Sequence, residues 1–204
     1  MINKTIVILA NSVKHHQHCV AGKCLSSGQW VRPVSTPEGA ELTHDQSTFT
    51  NPHGNYIVKP KQKIQMVLAS PVPLINQPEN FLISDQRWVQ RYKIDDNELT
   101  GFLDNPVNLW GESNSVNYLD ITQKRIIIDQ SLYLVQVDSL QLYKNQYDKR
   151  RASFIYNGTS YDLPVTDPSF DQKANEIDDV LGVLCVSLGE EYQGSCYKLV
   201  ATIF

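Results

Sequence analysis

Nowhere in the 204 residues is there a long apolar run. A helical membrane span needs roughly 18 consecutive apolar residues, so a membrane partner is not expected. Charge of one sign is scarce too. The 18 Lys+Arg and 22 Asp+Glu leave a net −4, which argues against coating duplex DNA by bulk attraction. Cysteine is sparse: Cys19, Cys24, Cys185 and Cys196 stand in a chain with no export signal, so reduced thiols in a cytoplasm are expected. The apolar run Ile6–Ala10 is too short for a secretory core and is not followed by a small-x-small cleavage site. Gly-x-Gly-x-x-Gly, the Walker loop, His-Glu-x-x-His and Gly-x-Ser-x-Gly are all missing. The common cofactor and hydrolase classes that depend on them are disfavoured, and no cofactor is expected.

What is present can build a core, with 41% hydrophobic and 20% charged residues. Residues 1–110 carry 10 basic and 9 acidic side chains (+1), and 111–204 carry 8 and 13 (−5). An anionic partner should therefore meet the first half, or a local patch such as Lys149-Arg150-Arg151.

β patterns dominate. Thr5–Ala10, Gln29–Val34, Ile57–Lys59 and Ile64–Leu68 read as strands. Ser84 is placed to cap a short helix through Arg87, Trp88 and Arg91, and Asp95 or Asp96 another toward Leu103. Glu112–Asn117 reads as a link, after which Arg125–Ile128 and Ser131–Leu142 resume the β idiom. Ala152–Tyr156 and Thr159–Leu163 around Asn157-Gly158 form the strongest hairpin signal. A short helix is expected between Ser169 and Leu181, from Phe170, Ala174, Ile177 and Leu181, and strands over Val183–Leu188 and Tyr197–Phe204. The pattern implies a mainly β fold with minor α, either two small barrels or one folded-over β domain. No repeat strong enough to prove internal duplication is visible.

The chemistry concentrates after the first strand, in a segment from Leu9 to Cys24 that reads as a polar loop. Cys19 with His16 or His18 has the makings of a nucleophile, although the loop holds no orienting carboxylate. His16, His18, Cys19 and Cys24 are permissible zinc ligands, but neither cysteine pair is Cys-x-x-Cys, so no metal is expected. Lys14, Lys23 and Arg32 with Trp30 and Tyr56 suit anion or nucleic-acid binding by a basic groove and stacking faces. Against these stands a plain surface loop with Cys19 as a core thiol, Trp30 in a core, and Arg32 holding a carboxylate. Gln77-Pro78-Glu79-Asn80 offers donors and acceptors that suit a nucleobase edge, or simply caps a turn. Asp167, in Val165-Thr166-Asp167-Pro168, has no carboxylate partner for acid/base work.

Leu9-Ala10-Asn11-Ser12-x-Lys14 leading to Cys19-Val20-Ala21-Gly22, followed by Trp30-Val31-Arg32-Pro33-Val34-Ser35, resembles the dual OB-containing domain of bacterial proteins. So do Gln77–Asn80, Leu109-Trp110, Tyr161–Pro168, Ser187-Leu188-Gly189 and Tyr197–Ala201, so the resemblance runs end to end. It implies two tandem OB-like small β-barrels with a short helical insertion, here assigned to 1–111 and 112–204. It also implies recognition of nucleic acid or nucleotides, in the setting of bacterial conflict and defence systems, and the expected function is a non-enzymatic module that binds single-stranded or modified nucleic acid or a nucleotide. The residues expected to bind are Asn11, Ser12, Lys14, Arg32, Gln77, Glu79 and Asn80, with Lys14 and Arg32 on phosphate and the amides and Glu79 on a base. Two alternatives remain: an enzyme acting on a nucleotide or modified base with Cys19 as nucleophile and His18 beside it, and a protein-interaction adaptor.

Overall fold

In a computed structural model the chain divides into two compact units, Met1–Phe102 and Leu103–Phe204. The structure describes residues 1–14, 17–175 and 181–204, with the Lys14 side chain left out. The architecture is mainly β, as the alternating patterns imply.

The first unit contains β1 (Ile2–Lys14), β2 (Gln17–Cys24), β3 (Trp30–Val34), β4 (Thr48–Asn51), β5 (Gly54–Ile57), β6 (Gln62–Pro71), β7 (Asn80–Ile83), β8 (Val89–Lys93) and α1 (Asp96–Leu99). Hydrogen bonding runs β1-β2-β3-β7-β6 and returns to β1, so five strands close a barrel. The β3–β7 contact is parallel and the other four are antiparallel. This is the five-stranded Greek-key ring of an OB-fold. Closure depends on β1, which pairs with β6 over Ile2–Val7 and with β2 over Ile6–Lys14. A register shift between Ile8 and Ala10 bends it from one partner to the other. Gly22 lies where the two strands press together: a Cβ there would sit 2.0 Å from the Val7 carbonyl oxygen. Ile6, Ile8, Val20, Cys24, Val31, Ile64, Met66 and Leu68 fill the interior.

Two expectations change here. The described residues from Leu9 to Cys24 are the paired ends of β1 and β2 rather than a polar loop, because polar residues there alternate with apolar ones that enter the barrel. The helix expected over Ser84–Arg91 is instead the Trp88 bridge and β8, whose backbone pairs with Gln62–Gln65 on β6. An open strand edge offers a full set of backbone partners, and three residues at helical spacing are too few to compete. The helix toward Leu103 is present as α1 and a 3₁₀ turn over Thr100–Phe102, with Asp95 N donating to Glu98 Oε2 at 2.9 Å.

The second unit contains β9 (Ser115–Asn117), α2 (Tyr118–Thr122), β10 (Leu132–Gln136), β11 (Asp138–Lys144), β12 (Arg150–Tyr156), β13 (Thr159–Pro164), α3 (Phe170–Asn175), β14 (Val183–Tyr192) and β15 (Ser195–Ile203). β10 and β11 are separated only by Val137. The first pairs with β14 and the second with β12, so together they repeat the double role of β1. A parallel bridge, Val165 to Val200, joins the end of β13 to β15. The strand order therefore matches that of the first barrel, with α3 between the third and fourth barrel strands. Leu109 and Trp110, placed before the expected joint at residue 112, pack into this second core. Arg125–Ile128 is not a strand; it follows α2 as a turn, with Arg125 N donating to Asp120 O at 2.8 Å. The expected helix is α3, and its continuation through Ile177 lies outside the described residues.

Candidate functional site

Alternation along β2 and β3 decides where the first barrel's polar residues point. Val20, Cys24 and Val31 belong to the interior, so Cys19, Lys23 and Arg32 face the outer wall. Ser12 is the register partner of Cys19 and shares that face. The parallel pairing sets Asn80 beside Arg32, and this brings the turn before β7 onto the same wall. Arg32, 5% exposed, donates from Nε to Glu79 Oε1 at 3.2 Å and from Nη1 to Cys19 Sγ at 3.8 Å. Its backbone N–H donates to Glu79 O at 2.9 Å. Asn80 Nδ2 donates to Gln77 Oε1 at 3.2 Å, beneath Gly39, whose left-handed backbone (φ +91°) closes over both amides.

Ser12, Cys19, Arg32, Glu79, Asn80 and Gln77 thus form one continuous patch. Asn11 leaves it: its Nδ2 donates to Val58 O at 2.9 Å. The Lys14 side chain and His16 lie outside the described residues. All six patch residues except Cys19 are buried. Arg32 holds a carboxylate, one of the two roles its sequence allowed. Cys19 is partly exposed on the outer wall, where a core thiol was the plain expectation.

Neighbouring residues of a strand point to opposite faces, so His18 is turned away from Cys19 and its imidazole is not placed to take the thiol proton. His18 bridges to Leu42 and meets the His44 ring edge-on at 5.5 Å between centroids. Burial first, and then the neighbouring His44, push its pKa down. Among the described residues no group of three or more His, Cys, Asp or Glu could hold a metal ion.

The second barrel's corresponding wall, on β12 and β13, is open. Ala152, Phe154, Tyr161 and Leu163 point into the core. Arg151, Ser153, Ile155, Ser160 and Asp162 therefore line the outside, beside Tyr143 of β11. Tyr143 is 38% exposed and donates from its hydroxyl to Asp162 Oδ2 at 2.9 Å; that hydrogen bond to a carboxylate raises its pKa. Arg151 donates from Nε to Asp162 Oδ1 at 3.1 Å and from Nη2 to Asp162 O at 2.6 Å. One carboxylate thus fixes an aromatic ring and a guanidinium side by side. The β11–β12 turn at its edge carries Tyr147, 71% exposed, and Lys149. Lys144 and Arg150 pair with Asp171, which damps the local positive field. Lys149-Arg150-Arg151 was visible in the sequence as a patch. Tyr143 was not, because the expected strand stopped at Leu142.

Compared with known proteins, the chain is matched over residues 4–203 by the family model of the dual OB-containing domain. No curated protein and no solved structure matches it.

Proposed function

Because the chain belongs to the dual OB-containing domain family, we propose that it is a non-enzymatic module that binds single-stranded nucleic acid or a nucleotide through the second barrel's β12–β13 wall. OB-folds bind oligonucleotides on this face and on the loops beside it. One observation carries the choice of barrel: the wall is open on the second and buried on the first. Tyr143 offers a base a stacking face, and Arg151 offers a phosphate its remaining donors. Both are already held by Asp162, so little side-chain freedom is lost on binding. In the first barrel, Arg32, Glu79, Asn80 and Gln77 serve this reading by fixing the turn before β7 to β3.

The test is fluorescence anisotropy with labelled single-stranded and duplex oligonucleotides. Single strands should bind more tightly than duplex, and Tyr143→Ala should weaken them roughly tenfold, the value of one stacked base. No binding to any oligonucleotide or nucleotide would sink the proposal and leave a protein-interaction adaptor ahead.

A further inference from the structure

A second feature of the first unit has none of the Arg32 network's residues in its lining. β3 and β7 run parallel, and their continuations, Ser35 and Ser84–Arg87, line a cavity of about 540 Å³ with the β4–β5 hairpin on its other side. That volume falls within the range of small-molecule sites. The hairpin is tied to the cavity's base by the Phe49–Trp88 bridge and by Thr50 N donating to Trp88 O at 3.1 Å. Arg87 Nη1 donates to Thr50 Oγ1 and to Asn55 Oδ1, both at 3.2 Å, which holds the guanidinium against the hairpin.

The same cavity is lined by Asp45 and Asp85. Asp45, Asp85 and Arg87 are exposed; among the described residues neither carboxylate has an ion-pair or side-chain hydrogen-bond partner within the protein, and the Arg87 hydrogen bonds to the protein come from Nη1, not from Nε or Nη2. Opposite charges that share a cleft without closing on one another leave both sets of bonds to a ligand. Two carboxylates against one guanidinium disfavour a phosphate in the cleft and favour a neutral group rich in donors.

We propose that this cleft is a guanine pocket, a reading that rests on the module's recognising nucleotides and adds the base. Guanine is the base with two adjacent donors, N1–H and the N2 amine, which match the two oxygens of one carboxylate. Its other edge carries O6 and N7, the acceptor pair that a guanidinium engages bidentately. Adenine sets an acceptor beside its amine, cytosine sets two, and uracil has one donor between two acceptors, so each would turn a lone pair toward Asp45 or Asp85.

Calorimetric titration with guanosine, adenosine, cytidine and uridine tests this on the full chain. Guanosine should bind at least about tenfold tighter than the other three. Inosine, which lacks the N2 amine, and 7-deazaguanosine, which lacks N7, should each bind several-fold more weakly than guanosine. Arg87→Gln should remove the penalty for 7-deazaguanosine and leave that for inosine, with an unchanged thermal melt showing that the exposed substitution is tolerated. Equal binding of all four nucleosides, no binding of guanosine, or an inosine affinity equal to guanosine's would overturn the guanine pocket. A pyrimidine-only oligonucleotide in the same series separates the two ideas. If it binds while guanosine does not, the pocket fails and the second-barrel reading stands; if guanosine binds while no oligonucleotide does, the pocket stands and the open wall fails.

Discussion

Arg32 is fixed by a carboxylate it cannot leave without cost. With both partners buried, deleting one removes far more than an exposed pair would contribute. Arg32→Ala should lower stability by about 3 kcal/mol in denaturant unfolding, whereas Arg32→Met combined with Glu79→Leu should recover most of it. Lys198 presents the opposite case. It is 0% exposed, lies over the Tyr161 ring, and donates from Nζ to Gly111 O at 2.7 Å. Burial pushes its pKa down to about 8. Between that value and the ordinary 10.5 the unfolded chain holds a proton that the folded chain lacks, so this group makes stability rise with pH. Tyr133, Tyr156 and Tyr161, whose pKa values burial raises from 10.0, act the other way above that pH. Replacing Lys198 by Met leaves Gly111 O the Tyr161 hydroxyl at 3.0 Å. The melting temperature of the native protein should therefore gain on that of Lys198→Met as pH rises from about 8 to 10. Parallel thermal scans check it, and a flat difference refutes it.

At the scale of the element, the β1–β2 hairpin is the part least able to yield. Gly22 has no room for a side chain, because the atom in the way is backbone on the adjacent strand. Gly22→Ala should cost about 3 kcal/mol or more, since neither strand can move without opening the barrel. Circular dichroism melts and yield of soluble protein would show it. The Asn157-Gly158 turn was readable in advance because its chemistry is local: φ is +47° at Asn157 and +80° at Gly158, and those two residue types tolerate it. β8 was not readable. Its pairing partner on β6 is about 26 residues away, as the Arg91–Gln65 hydrogen bond shows, and no short window contains both.

For the molecule as a whole, a net charge of −4 limits how it can hold an anion. Contacts must be local and few. With about three phosphates neutralised, log K should fall against log salt with a slope of about −2 for a single strand, and Arg151→Ala should flatten it by about 0.7. A slope of −6 or steeper would mean broad coating and would contradict the open-wall site. The two barrels share a strand order without a visible repeat. Topology depends on which backbones pair and which side chains face inward, and many different apolar residues meet that demand. The inward residues Val20, Cys24 and Val31 of one barrel and Ala152, Phe154 and Leu163 of the other illustrate it.

Sequence alone determined the β character, the Asn157-Gly158 hairpin, the helix after Asp95 and the family, because each rests on short-range pattern or on motifs readable in order. It also singled out Arg32, Glu79, Gln77 and Asn80, which the fold assembles into one network. Only the tertiary structure decided that this network is buried. Exposure depends on what covers a strand, and alternation assigns a face without saying whether that face meets water. For the same reason Tyr143 and Arg151 became the open wall: Asp162 joins them across three strands, a contact made by register rather than by nearness along the chain.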